Sequence, residues 1–129
     1  MNTSNQQAYA PQAYAKPTVN VWALKKDQNI KSLLLRLQGH LGANTFEIEE
    51  DDDLHACSVF LRHTQCAEFR AFIFTFGQKP NRYGIHLEYP DVATSGNLFE
   101  AHENIALKSL VEMLAVHFDI AHIHHLALL

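Results

Sequence analysis

The sequence predicts an α+β fold: a four-stranded antiparallel meander with two helices packed on one of its faces, in the order α-β-β-β-β-α. Three observations carry this expectation. Ile30, Leu33, Leu34, Leu37 and Leu41 repeat at the spacing of one buried helical stripe. Residues 45–89 then read as short alternating segments separated by turn-forming residues, the pattern of strands joined by hairpins. Beyond Pro90 a second helical spacing returns, from Leu98 to His117. Two helices on one face of an antiparallel sheet is the simplest way to close a core from that order.

The chain opens with residues 1–18 (MNTSNQQAYAPQAYAKPT), which hold no large aliphatic side chain after Met1. Such a stretch cannot bury enough apolar area to offset its ordering entropy, so a disordered arm is expected, ahead of one domain over 19–129. Within the arm, QAYAP and QAYAK form a small repeat that carries Tyr9 and Tyr14. Residues 19–24 (VNVWAL) suit a short strand or an anchoring segment, with Trp22 packing into the domain. Asp27 stands where an N-cap belongs, and Gly42 where a helix would end.

Four strands follow, at residues 45–49, 55–63, 67–76 and 82–89. Alternation puts Val59, Leu61, Ala71, Ile73, Tyr83, Ile85 and Leu87 on the helix side. It puts Phe60, Arg62, Phe72, Phe74, Phe76, His86 and Glu88 on the other. GQKPN at 77–81 is a natural hairpin connection. Asn97 with Glu100 has the form of a capping pair, so a long helix is expected to about Phe118, burying Leu98, His102, Ile105 and Leu110. For the last eleven residues, DIAHIHHLALL, the periodicity fits a fifth strand or a short helix equally.

Composition narrows the functional classes. Apolar residues are 47% of the chain, enough for a core without disulfides or metal, while charged residues are 19%, below the roughly 25% of an average domain. Part of that apolar content is free to face a partner. A net charge of −4 with scattered Lys and Arg argues against phosphate-backbone binding. Double-stranded RNA-binding domains run helix, three strands, helix; the extra strand here, and the lack of a basic cluster opening the second helix, set this chain apart. Cys57 and Cys66 do not face each other across a hairpin and are expected as free thiols, in keeping with a reducing, cytoplasmic setting. No leader peptide or membrane span is expected from the residue pattern.

Three constellations carry candidate chemistry. The acidic run Glu47, Glu49, Glu50, Asp51, Asp52 and Asp53 lacks the alternating oxygen ligands and glycine of a calcium loop, and suits steering toward a basic protein partner. Phe60, Phe72 and Phe74 on the outer sheet face make an aromatic surface that a monomer rarely leaves bare, and a homodimer is the expected cover. His122, His124 and His125 near the end offer imidazoles to a metal or small ligand, though no strand or helix spacing presents more than two on one face. Nucleophile, base and orienting group are not set up anywhere: His86 and Glu88 share a strand face with Ser58, without a third partner. The expectation is a non-enzymatic protein-interaction or regulatory module without a cofactor, of adaptor, inhibitor or chaperone type. The alternative is a metal- or small-ligand-binding domain that uses the C-terminal histidines.

Overall fold

The computed structural model describes residues 19–50, 55–90 and 98–129, with side chains of the last segment from Glu100 onward. The expected arm at 1–18, the turn at 51–53 and Asn97 lie outside the described residues.

Asp27 caps helix α1 (Gln28–Leu41) by accepting the Ile30 amide proton at 2.9 Å, which satisfies one of the donors a helix start leaves open. The leucine stripe is buried along its whole length. Gly42 ends the helix: its amide donates to the Gln38 carbonyl at 2.8 Å, with φ at 99°, a conformation that suits glycine. Before α1, residues 19–24 form a 3-10 turn (Val21–Ala23) in place of a strand. Its tight rotation sends Val21 into the core and leaves Trp22 outside, 53% exposed, so the tryptophan does not pack into the domain as expected.

Among the described residues the meander has five strands, one more than expected: β1 (Phe46–Ile48), β2 (Ser58–His63), β3 (Arg70–Phe74), β4 (Tyr83–Tyr89) and β5 (Leu98–Ile105). They pair antiparallel in sequence order. Helix α2 (Leu107–His117) is therefore much shorter than the helix expected from residue 97 onward. The strand at 98–105 is the correction, and its cause is tertiary. Tyr89 to Tyr83 would be a bare edge without it, and pairing such as Leu87 with Glu100 satisfies that edge. Asn104 then takes a left-handed conformation, φ 54°, that no α-helix can pass through. It is held there by two bonds to the β3–β4 connection: its amide donates to Gln78 Oε1 at 2.6 Å, and its Oδ1 accepts from the Lys79 amide at 2.8 Å.

One core cluster joins both helices to the inner face of the sheet. Ile30, Leu33, Leu34 and Leu37 of α1 and Leu110, Val111 and Leu114 of α2 pack with Val59, Leu61, Ala71, Ile73 and Ile85. Truncating any one of these leucines to alanine would cost about 2–5 kcal/mol. Residues 119–129 are neither a strand nor an α-helix. They run irregularly into a 3-10 turn at Leu126–Leu128. Among the described residues no helix is long and apolar enough to cross a membrane.

Candidate functional site

With both helices on one side, the strand register lays out the opposite face of the sheet in three cross-strand rows. The first runs Glu47, Arg62, Arg70, Glu88. The second runs Phe60, Phe72, His86, Ala101, and the third Ser58, Phe74, Gly84.

The first row places two arginines directly opposite each other, an arrangement that repels unless anions stand between them. They do. Arg62 Nε donates to Glu47 Oε1 at 2.9 Å. Arg70 donates to Glu49 through Nε at 3.0 Å and through Nη2 at 3.1 Å, and reaches Glu88 through Nη1 at 3.1 Å. Glu49 also lies 4.0 Å from Arg62, so its carboxylate bridges the pair. Desolvation pulls the Arg70 guanidinium toward the neutral form, but the bonds and charges of Glu49 and Glu88 together outweigh it and hold its pKa above the ordinary arginine value. Two members of the acidic run are thus counterions within the chain. Glu50 is exposed beside them, and Asp51, Asp52 and Asp53 lie outside the described residues.

The aromatic rows form one connected ridge. Ring centroids are 4.8 Å apart between Phe60 and Phe72, 5.5 Å between Phe72 and Phe74, and 4.6 Å between Phe74 and Phe76. His86 touches the middle of the ridge, at 5.8 Å from Phe72 and 5.3 Å from Phe74. The Arg70 guanidinium lies 3.8 Å above the Phe60 ring, which ties the ionic row to the aromatic one. Exposure along the ridge is uneven. Phe60 and Phe72 are half-buried and Phe74 is only 5% exposed, because its ring fills the notch over Gly84. Phe76, at the end of the ridge, is 48% exposed. Phe74 therefore supports the surface from below, and Phe76 is the ring that meets solvent.

The C-terminal histidines fall elsewhere. His122 and His124 meet edge to face at 4.5 Å, and His125 is 6.4 Å from His124. Among the described residues, no three His, Cys, Asp or Glu side chains are placed to hold one metal ion. His122 and His124 instead border a cleft of about 450 Å³ that also takes in Leu41, His63, Phe118 and Ile120. Cys57 and Cys66 are both free and half-buried.

A further cluster was hidden by the helix expectation for residues 98–105. On the inner face, where β5 meets β4, Tyr89 Oη donates to Glu100 Oε1 at 2.8 Å and His102 Nε2 donates to Oε2 at 2.9 Å. The bonds from His102 and Tyr89 hold the Glu100 carboxyl below its ordinary pKa. Burial, helped by Glu100, pushes the Tyr89 phenol up. The phenol hydroxyl faces the carboxylate and not the imidazole, so the three groups do not line up as nucleophile, base and orienting acid. No protein family, curated protein or solved structure matches this chain.

Proposed function

We propose that this chain is a non-enzymatic protein-interaction module of regulatory, adaptor or chaperone-like type, and that it binds through the outer face of its sheet, first of all to a second copy of itself. The observation that carries this reading is the ridge Phe60, Phe72, Phe74, Phe76 on the side of the sheet away from both helices. Beside it, the arginines are already neutralised by Glu47, Glu49 and Glu88. A face with an apolar centre and an internally balanced ionic border gives no advantage to a polyanion or a polycation. It suits a surface of the same make-up, as at the isologous interface of a two-fold dimer. The acidic run of the sequence from Glu50 to Asp53 adds negative charge that would speed the approach of a basic protein partner.

The solution mass tests the self-association. The wild-type chain is expected at twice the monomer mass by sedimentation equilibrium, and Phe76→Glu at the monomer mass with an unchanged circular dichroism spectrum. A monomeric wild-type chain, or a dimer that survives both Phe76→Glu and Phe60→Ser, removes this face from the reading. The cleft beside His122 and His124 favours the second reading, a small-ligand or metal site. That reading expects a thermal shift with zinc or nickel which is lost in the His122→Ala, His124→Ala double variant.

A further inference from the structure

His117, the last residue of α2, is 6% exposed, and its two ring nitrogens have opposite fates. Nε2 donates to the Arg70 carbonyl at 2.8 Å. Nδ1 is buried without a hydrogen-bond partner. The carbonyl requires a donor, so Nε2 carries a proton, and in the neutral ring that burial favours Nδ1 presents a bare lone pair. The walls around it are rings: Tyr89 at 4.8 Å, Phe118 at 5.3 Å and Phe69 at 5.5 Å. Burial holds the imidazole below its ordinary pKa. The carbonyls of Arg70 and Glu88 and the charge of Glu100 work against that, and His63 works with it.

The groups that face this ring come from every packed strand. β2 brings His63, whose Nδ1 accepts from the amides of Gln65 and Cys66. β3 brings the Arg70 carbonyl, with the guanidinium turned to the other face. β4 brings Tyr89 and the Glu88 carbonyl, and β5 brings Glu100, already bonded to His102. On α2 itself the nearest charges, Lys108 and Glu112, pair with each other 3.9 Å apart on the exposed side.

The tail leaves α2 immediately after this residue. Ile120 donates its amide to the Ala115 carbonyl at 2.8 Å, and the chain then crosses to the end of α1. There the His124 amide donates to the His40 carbonyl at 2.7 Å, and His40 Nδ1 donates to the His124 carbonyl at 2.9 Å. Between these two attachments the tail forms one wall of the 450 Å³ cleft, over the apolar surface of Leu41 and Phe118. His40, His63, His117, His122, His124 and His125 all stand around this end of the molecule.

We propose that His117 is an acid-sensitive latch: a proton taken from solvent onto its buried Nδ1 unseats the last turn of α2 and frees residues 119–129 from the end of α1. The imidazolium would bury a second N–H at a nitrogen that has no hydrogen-bond partner in this seat, beside His63, with the Glu88 carbonyl offsetting only part of that cost. Unseating hydrates it. The movement also opens the cleft that His63 shares with His122 and His124. Release uncovers Leu41 and Phe118 as an apolar strip.

Amide hydrogen exchange of the full chain at pH 7.5 and pH 5.5, corrected for intrinsic rates, tests this. One unit of pKa difference corresponds to a factor of ten. Protection of the last turn of α2 and of the tail is therefore expected to fall at the lower pH, by about tenfold at most for this one proton, while β2, β3 and β4 keep theirs. His117→Gln retains an N–H for the Arg70 carbonyl and cannot take the proton; its tail is expected to be equally protected at both values. Unchanged protection in the wild type overturns the latch, as does a His117→Gln tail that still opens in acid. Loss of the response on replacing His122, His124 and His125 with Gln, with His117→Gln still responding, would place the sensor in the tail instead. Should His117→Gln not fold, the wild-type His117 Cε1–H shift decides: titration at or above the ordinary histidine range, with the tail still protected, overturns the proposal.

Discussion

The backbone carbonyl of Arg70 accepts the Nε2 proton of His117 on the helix side of the sheet, while the Arg70 side chain gathers Glu49 and Glu88 on the other side. A single residue of β3 thus anchors the end of α2 and centres the ionic row of the outer face. The two roles use different atoms, which makes them separable by substitution.

Arg70→Met keeps the carbonyl and removes the guanidinium. It leaves the carboxylates of Glu49 and Glu88, both partly buried, without their shared cation. Exposed ion pairs are worth little, but this one is forked and partly desolvated, so a loss of about 1–2 kcal/mol is expected in urea unfolding. Arg70→Lys should recover less than half of it, because an ammonium cannot bond both carboxylates in the same fork. Exchange protection of the tail at pH 7.5 should be unaltered in both variants.

Gly84 and Phe74 form a matched pair across β3 and β4. Any Cβ at position 84 would overlap the Phe74 ring, which is itself held between Phe72 and Phe76. Gly84→Ala is expected to displace the ring and cost about 1–3 kcal/mol. Phe74→Leu should make Gly84→Ala far better tolerated, so the two substitutions couple by about 1 kcal/mol or more in a double-mutant cycle. Additive effects would show that the ring does not set the glycine requirement.

Asp27→Ala removes the side chain that accepts the Ile30 amide proton. A fall of about 0.5–2 kcal/mol is expected, with Asp27→Asn losing much less because its side-chain oxygen still accepts. Thermal or urea unfolding of the three proteins gives the comparison directly.

The pH dependence of stability follows from two depressed groups in different windows. His117 is depressed from 6.5 by burial, so the folded state binds fewer protons than the unfolded chain just below that value. Its contribution is complete above pH 6.5 and is lost as pH falls toward the folded pKa. Glu100 is depressed from 4.5 by its bonds from His102 and Tyr89, so its contribution persists above 4.5 and is lost at lower pH. Urea midpoints should therefore be level from pH 6.5 up to the ordinary tyrosine range, where the raised Tyr89 pKa begins to matter, and decline below 6.5, with a further decline below 4.5. In His117→Gln the first decline should flatten, and in Glu100→Gln the second should.

Much of the fold was legible because local rules and the tertiary structure agree there. In α1 the cap, the leucine stripe and the terminal glycine all point to one helix, and it forms between the expected bounds. The inner and outer faces of β2, β3 and β4 followed from alternation, since a one-residue slip would turn every apolar side chain to the wrong side. Residues 98–105 were not legible. Leu98, His102 and Ile105 share a helical face as readily as LFEAHENI makes a strand, and nothing local separates the two. The unpaired edge of β4 separates them. With that strand misread, the cluster of Tyr89, Glu100 and His102 stayed hidden too.

By itself, then, the sequence determined the α+β class, the first helix with both its ends, the order of the first four strands and the aromatic make-up of the outer face. Those features rest on periodicity and capping, which act over a few residues. Only the tertiary structure decided that a fifth strand closes the edge, that Val21 and not Trp22 enters the core, and that Glu47 and Glu49 neutralise Arg62 and Arg70. It also decided that the buried His117 keeps one nitrogen bare. Each of these depends on partners brought together from distant parts of the chain, through hydrogen bonds and burial that no local pattern records.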